Sequence, residues 1–227
     1  MIEKIINNTN ELSISNIRVE PIKIEKSFED EFVNWYQNVL NASEKLIRAW
    51  EKSLGNDSCC KIGCKHCCNH AIEVYNFEII PIIKWIKENN IDFAIDRGVS
   101  VVNYLEENLS ILTSQYNHLD SNKLERYKIE YRSLGIPCIF LKDDKCSIYS
   151  VRPTSCLNYY CYSSSEECSK LAVMPKGCIS LGQVEDWIVN QVGAYFDLNK
   201  DKIPRYFDPF EISILPVGFI NNIIYLD

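Results

Sequence analysis

Residues 59–68 read CCKIGCKHCC, and His70 follows two positions later. Five cysteines in ten residues can be crosslinked, buried as inert thiols, or wrapped around metal. The run Cys60-x3-Cys64-x2-Cys67-Cys68 lets a tight turn aim several thiolates at one centre, and Gly63 permits backbone conformations that other residues resist. Zinc takes four such ligands tetrahedrally, and iron–sulfur clusters take thiolates at similar spacings. Adjacent side chains diverge by about 100° on a helix and about 180° on a strand. The doublet Cys67-Cys68 therefore reads as serving two sites, or one polynuclear cluster with a spare thiol beside it.

A second group of cysteines, at 138, 146, 156, 161, 168 and 178, lies among Pro, Ser, Asp and Gly. Cys138 and Cys146 flank an expected hairpin whose polar turn is Lys142-Asp143-Asp144-Lys145. Pro153 biases Arg152 toward an extended backbone and stiffens the approach to Cys156. Four thiolates on a divalent ion leave a net negative charge that needs donors or cations nearby. Arg152, with several fixed donors, is the expected source, and Tyr149 is expected to pack under the site or donate to a sulfur. Lys61 and Lys65 read as a solvated loop face. His66 and His70 read as surface histidines with ligation as the alternative, and His118 as structural. Tyr159, Tyr160 and Tyr162 read as core, with a pocket lining as the alternative.

Together these motifs resemble the YkgJ-type cysteine-cluster proteins, which carry a zinc- or iron-chelating CxxCxxCC domain. Cys60, Cys64, Cys67 and Cys68 match the family's first run. Cys138-Ile-Phe-Leu, Cys146-Ser-Ile-Tyr149, Arg152-Pro153 and Cys156 match its second block, and Cys178 after Gly177 matches a later cysteine near a glycine. The resemblance spans roughly residues 59–178. It implies a metal site, as zinc or an iron–sulfur cluster, in bacterial cytoplasm, with Cys60, Cys64, Cys67, Cys68, Cys138, Cys146 and Cys156 as ligands. Cys161 and Cys178 join the candidate set, while Cys59 and Cys168 read as spare. A 4Fe–4S cluster is the expected cofactor, because the doublet and the ligand excess suit a polynuclear centre; zinc is the alternative.

Eleven cysteines in 227 residues is an odd number, so a complete disulfide framework would leave one unpaired. The chain is 46% hydrophobic, ample for a core without staples. Its N-terminus mixes Asn and charges into the apolar residues and lacks the core of a secretory signal, which points to the cytoplasm, where disulfides rarely persist. A net charge of −7 without a basic run argues against nucleic acid or an anionic membrane as partner. No dinucleotide, Walker, nucleophile-elbow or HExxH motif occurs. Cys60-x3-Cys64-x2-Cys67 has the literal spacing of radical S-adenosylmethionine enzymes, but the adjacent fourth cysteine and the absence of repeated βα units argue against a radical barrel.

The elements that must position these thiols are helical. Residues 28–54 repeat apolar side chains at alternating steps of four and three, with Ser27 as N-cap, three acidic residues in the first turn and Gly55 past the end. Further helices are expected from about Pro81 to Glu88, with proline in the first turn, from Asp92 through the Val101–Leu119 stripe, over Leu124–Leu134, and over 183–198. Residues 1–26 read as an arm or short edge strand, and the tail ILPVGFINNIIYL as a strand or apolar strap. The expected architecture is mainly α: a helical scaffold with an irregular cysteine-rich metal-binding lobe, 59–70 plus 137–178, and few short strands, all within one domain over 27–227. The function this implies is a cysteine-cluster metalloprotein whose two motifs converge on one centre. It would act as a redox or modification enzyme on a peptide, protein or amino-acid-derived substrate. The alternative is a zinc-stapled binding or metal-handling module.

Overall fold

The structure is a computed structural model that describes residues 28–55, 57–109, 116, 118–169, 177–203 and 207–223. The expected arm over 1–26 lies outside these residues. The fold is mainly α, with short antiparallel strand pairs.

Helix α1, Phe28–Leu54, buries Phe32, Trp35, Tyr36, Val39, Ile47 and Trp50 along one stripe. Strand β1, Glu73–Tyr75, leads directly into α2, Asn76–Asn89. α2 begins five residues before the expected proline. The cause is local: the Tyr75 amide donates to Glu78 in a capping box, so the helix is nucleated upstream and Pro81 falls inside it. α2 is buried on nearly every side, as a helix reading IIPII in its middle should be. It separates two apolar cores. The first joins α1 to α7, Gly182–Leu198, with Phe77 and Ile80 of α2 between them. The second joins the other faces of α2 to α3, Phe93–Asn108, α4, Ser121–Ser133, and α8, Leu215–Ile223.

The long stripe through Leu119 is not one helix. α3 ends at Asn108 with Leu109 extended, and Asp120 restarts the chain by accepting the Lys123 amide at 2.9 Å as the N-cap of α4. His118, expected as structural, is exposed. The tail is a strand followed by a helix. β6, Ile212–Ile214, pairs with β1 through Glu73↔Ile214 and Tyr75↔Ile212, and Pro216 then sits in the first turn of α8, where a proline is tolerated. Gly218 lets α8 close on this ribbon, since a Cβ there would meet Ser213 Oγ and lie 3.0 Å from Val74.

The cysteine lobe hangs between these cores on small elements. β2, Leu141–Lys142, and β3, Lys145–Cys146, form the expected hairpin, and its two-residue loop places Asp143 at φ 48° and Asp144 at φ 59°, a type I′ turn. A one-turn helix α5, Thr154–Leu157, carries Cys156. β4, Tyr159–Cys161, pairs with β5, Cys178–Ser180, and α6, Ser165–Ser169, carries Cys168.

Glu78 fastens this lobe to α2. Its carboxylate is 1% exposed and accepts the Thr154 amide at 2.6 Å, the Thr154 hydroxyl, the Tyr36 hydroxyl at 3.2 Å and the Tyr75 amide at 3.0 Å. Burial pushes its pKa up to about 7, against the hydrogen bonds that favour the charged form. A carboxyl raised in the folded state binds more protons there than in the unfolded chain, so stability falls as pH rises from about 4.5 through 7. The loss is roughly 3 kcal/mol at full ionisation. Glu78→Gln cannot ionise but gives up the Tyr75 amide bond. Urea midpoints measured from pH 5 to 8 should show the wild-type protein well ahead of the variant at pH 5, with the gap narrowing steadily toward pH 8.

Candidate metal centre

The eleven cysteines are all free thiols, and they do not form one group. Cys59, Cys161 and Cys168 bring their sulfurs within 4.8 Å of one another, and Cys178 Sγ stands 3.5 Å from Cys168 Sγ. This first set is built from three segments. The Cys59 amide donates to the Cys161 carbonyl at 2.8 Å, extending the β4 edge. Opposite residues Cys161 and Cys178 face each other across β4 and β5. Gly177, at φ 80°, turns the chain into β5 and accepts the Tyr162 amide at 2.8 Å. The Cys161 amide also donates to Cys60 Sγ at 3.3 Å, a contact that stabilises thiolate character.

The sequence reading set Cys59 and Cys168 aside as spare; the structure makes them two of the three tightest thiols. Their signal was weak because Cys168 sits on a five-residue helix and Cys59 precedes the CxxxCxxCC run. Both are brought in by tertiary contacts that no local spacing encodes. Arg132, which the sequence reading passed over on an amphipathic helix, donates through Nη2 to the Cys168 carbonyl and so ties α4 to α6.

The electrostatics of the first set are those of thiols sharing too little space for several charges. Burial and the neighbouring Cys161 raise Cys59 to about 12, and burial raises Cys178 to about 12. Burial also opposes ionisation of Cys161, but hydrogen bonds from Cys178, Ser163 and Cys168 outweigh it and hold Cys161 below the ordinary thiol value, at about 7. One thiolate solvated by its neighbours is what a bare multi-thiol site adopts; a cation would let the others ionise.

The second set comprises Cys67, Cys68, Cys138, Cys146 and Cys156. Cys67 and Cys68 lie on the 3-10 turn His66–Asn69, and Cys68 is near enough to oppose ionisation of Cys67. The Cys138 amide donates to the Cys68 carbonyl at 2.6 Å, and the hairpin returns Cys146 opposite Leu141. Burial raises Cys138 to about 12 and lifts Cys156 well above the ordinary range, and in Cys156 the charges of Cys67, Cys138 and Cys146 add to the effect. The four are near enough for their charges to oppose one another, while among the described residues only Cys59, Cys161 and Cys168 bring three sulfurs within 4.8 Å. Cys64 stands apart from both doublets: its amide closes a turn on the Lys61 carbonyl at 2.9 Å through Gly63 at φ 92°, and its charge is felt at Cys59 and Cys60.

Arg152 stacks on the Tyr149 ring at 4.0 Å, pairs with Glu44 at 3.5 Å, and lowers the cost of ionising Cys67, Cys146 and Cys156. Arg97 supplies a second cation, donating to the Ile139 and Leu141 carbonyls and favouring a Cys138 thiolate. Lys65, read as solvated, pairs with Asp144 at 2.6 Å and links the first cysteine loop to the hairpin turn.

A half-open cleft of about 200 Å³ adjoins the lobe, with Cys67 and Cys156 in one wall and Tyr159, Arg132, His70 and Glu185 among its other residues. Tyr159 belongs to both regions, because its hydroxyl also neighbours the Cys178 sulfur. His70 is no surface residue: burial, with the charges of Arg132 and Lys128, lowers it to about 4, and its Nε2 is buried without a hydrogen-bond partner.

Compared with known proteins, the chain matches no family model, no curated protein and no solved structure. Its site therefore rests on its own geometry: a group of cysteines close enough to bind a metal.

Glu51 at the end of α1 orders the first set. Its carboxylate, 1% exposed, accepts the Ser58 amide at 3.2 Å and the Tyr162 hydroxyl at 3.1 Å, next to Cys59 and Cys161, and pairs with Arg48 at 2.6 Å. Glu51→Ala leaves those donors buried and unpaired, at a cost of roughly 2–4 kcal/mol. Chemical denaturation should show that loss, and elemental analysis of the same sample should show reduced metal content.

Proposed function

We propose that this chain is a cysteine-cluster metalloprotein of the YkgJ type, with two centres of different kinds. The observation that supports the reading is the group Cys59, Cys161 and Cys168, whose sulfurs lie within 4.8 Å of one another, as those of no other three described cysteines do. A tetrahedral ion with metal–sulfur bonds near 2.3 Å holds its sulfurs about 3.8 Å apart. Cys59, Cys161 and Cys168 within 4.8 Å, and Cys178 at 3.5 Å from Cys168, suit a mononuclear ion, zinc above all. These four would hold it in a closed, largely buried site that staples β4–β5 to α6 and the 59–60 segment.

Cys67, Cys138, Cys146 and Cys156, whose charges oppose one another at Cys156, are the thiols assigned to a polynuclear iron–sulfur cluster, with Cys68 adjoining Cys67. Such a cluster supplies electron transfer or a Lewis-acidic iron when bound. The residues around it have separable tasks. Arg152 and Arg97 offset thiolate charge, Tyr149 fixes the Arg152 guanidinium by stacking, and Pro153 with the Glu78-held Thr154 sets the direction of Cys156. Cys67 and Cys156 border the cleft, so a substrate there would lie against this set. The activity this supports is redox or group-modifying chemistry on a peptide, protein or amino-acid-derived substrate. Free thiols throughout, with Arg and backbone donors arranged for thiolates, favour a reducing compartment such as bacterial cytoplasm.

The alternative of a purely structural zinc module draws its support from the first set, which is closed and buried. Metal and acid-labile sulfide analysis of anaerobically purified protein separates the two. Iron with equimolar sulfide and, in addition, stoichiometric zinc is expected. Cys168→Ala should lose zinc and keep iron; Cys156→Ala should lose iron and keep zinc. Colourless protein with zinc alone would leave only the stapled module, and loss of all metal from both variants would mean a single shared centre.

A further inference from the structure

Cys168 belongs to two geometries at once. Its sulfur lies within 4.8 Å of those of Cys59 and Cys161, a spacing that suits ligands around one ion, and 3.5 Å from that of Cys178, which is contact between sulfurs. A disulfide holds its sulfurs about 2.05 Å apart, so joining Cys168 to Cys178 needs a movement of roughly 1.5 Å. Cys168 rides on α6, a helix of five residues, and Cys178 opens β5. Cys161 is the other candidate partner for Cys178, because the two are opposite residues of β4 and β5. Its sulfur, however, is engaged with the Ser163 hydroxyl at 3.3 Å and the Ser164 carbonyl at 3.5 Å.

The surroundings select the oxidant. Cys168 is 2% exposed and Cys178 4%, and Cys60 and Tyr159 pack against this group. Cys59 is its half-buried member, so the approach from solvent lies on that side. A bulky disulfide reagent has no room to bring its own sulfur against thiols so enclosed. Hydrogen peroxide, scarcely larger than water, needs no path of that width.

We propose that the first set is a peroxide-sensitive thiol switch, in which hydrogen peroxide joins Cys168 to Cys178 and the ion they help to hold is released, an inference that rests on the reading of this set as a zinc site and adds its regulation. The Cys168 sulfur attacks one peroxide oxygen, the O–O bond breaks, and hydroxide leaves, giving a sulfenic acid on Cys168. The Cys178 sulfur then attacks the Cys168 sulfur, the S–O bond breaks, and a second hydroxide leaves. The two sulfurs lose two electrons, the two oxygens gain them, and two protons from thiols or solvent complete two waters. Cys59 and Cys161 alone then remain to the ion, half of what a closed tetrahedral site requires.

Peroxide titration of the anaerobically purified full chain tests it, beside the Cys156→Ala variant, in which an iron–sulfur cluster should not consume the oxidant. Zinc release is followed with a chromogenic chelator. Disulfides are located by alkylating the remaining thiols and mapping the peptides by mass spectrometry. One equivalent of peroxide should remove two of the eleven thiols, link the Cys168 and Cys178 peptides, and release one zinc ion. Dithiothreitol with added zinc should reverse all three changes. Cys178→Ser should abolish the link, and mapping the unsubstituted chain reads the pair whether or not that variant folds. Zinc retained while peroxide is consumed overturns the switch, as does a map in which the Cys168–Cys178 link is missing or is no commoner than other pairings. Protein isolated without zinc that still forms this link would uphold the thiol pair as the peroxide target and remove the zinc reading. Zinc-loaded protein whose thiols all survive the titration would do the reverse.

Discussion

Two buried carboxylates hold this molecule's irregular lobe to its helices. Segments 57–72, 137–161 and 177–181 have little apolar surface to bury, and their backbone donors must still be satisfied. Glu51 on α1 and Glu78 on α2 accept the Ser58 and Thr154 amides and the Tyr162 hydroxyl, each within two residues of a cysteine, while Glu78 also caps α2 at the Tyr75 amide. A carboxylate with two oxygens and several lone pairs can gather donors from chains that are remote in sequence, which an apolar contact cannot do with the same directionality. The helices act on the thiols near 59, 156 and 161 through these two carboxylates, and on Cys168 and the 138–146 hairpin through Arg132 and Arg97.

Much of the fold was legible from the sequence because its signals are local. The stripe of α1, the Leu124–Leu134 stripe of α4 and the polar hairpin turn Lys142–Lys145 each depend on residues within a turn or two. The errors share a cause. α2 was started late because Pro81 is a strong local signal, while the Tyr75–Glu78 cap that overrides it rests on a tyrosine, an unusual N-cap residue. The tail was read as a strand or strap because Ile, Val and Phe are common to strands and buried helices. Its helical state follows from packing against α2 and α3 rather than from periodicity.

The site was half legible for the same reason. Spacing identified which cysteines are close in sequence, and it correctly marked the Cys138–Cys146 hairpin as a device for returning a thiol. It carried no information on partition. Cys59 and Cys60 are adjacent, yet Cys59 closes on Cys161 and Cys168 while Cys60 receives the Cys161 amide. The doublet argument, that neighbours point apart, describes 59–60, whose members meet different partners. Arg132 and Arg97 were invisible as site residues because a helix surface arginine has no sequence mark that distinguishes a solvated charge from one reaching a carbonyl in another segment.

The partition has a chemical consequence. A set of thiols held by β4, β5 and α6, with Cys161, Cys168 and Cys178 buried and Cys59 half-buried, suits in the proposed assignment an ion that stabilises the fold. A set with two thiols, Cys67 and Cys156, in the lining of a cleft has a side open to a small molecule. Tyr159 stands between the two, one edge in the cleft beside His70 and its hydroxyl near Cys178. Stapling the first set fixes β4, β4 carries Tyr159, and Tyr159 shapes the wall against which a ligand of the second set would rest. In the proposed assignment the structural ion is thus a determinant of the reactive site's geometry, and the two centres are coupled through a single strand rather than through shared ligands.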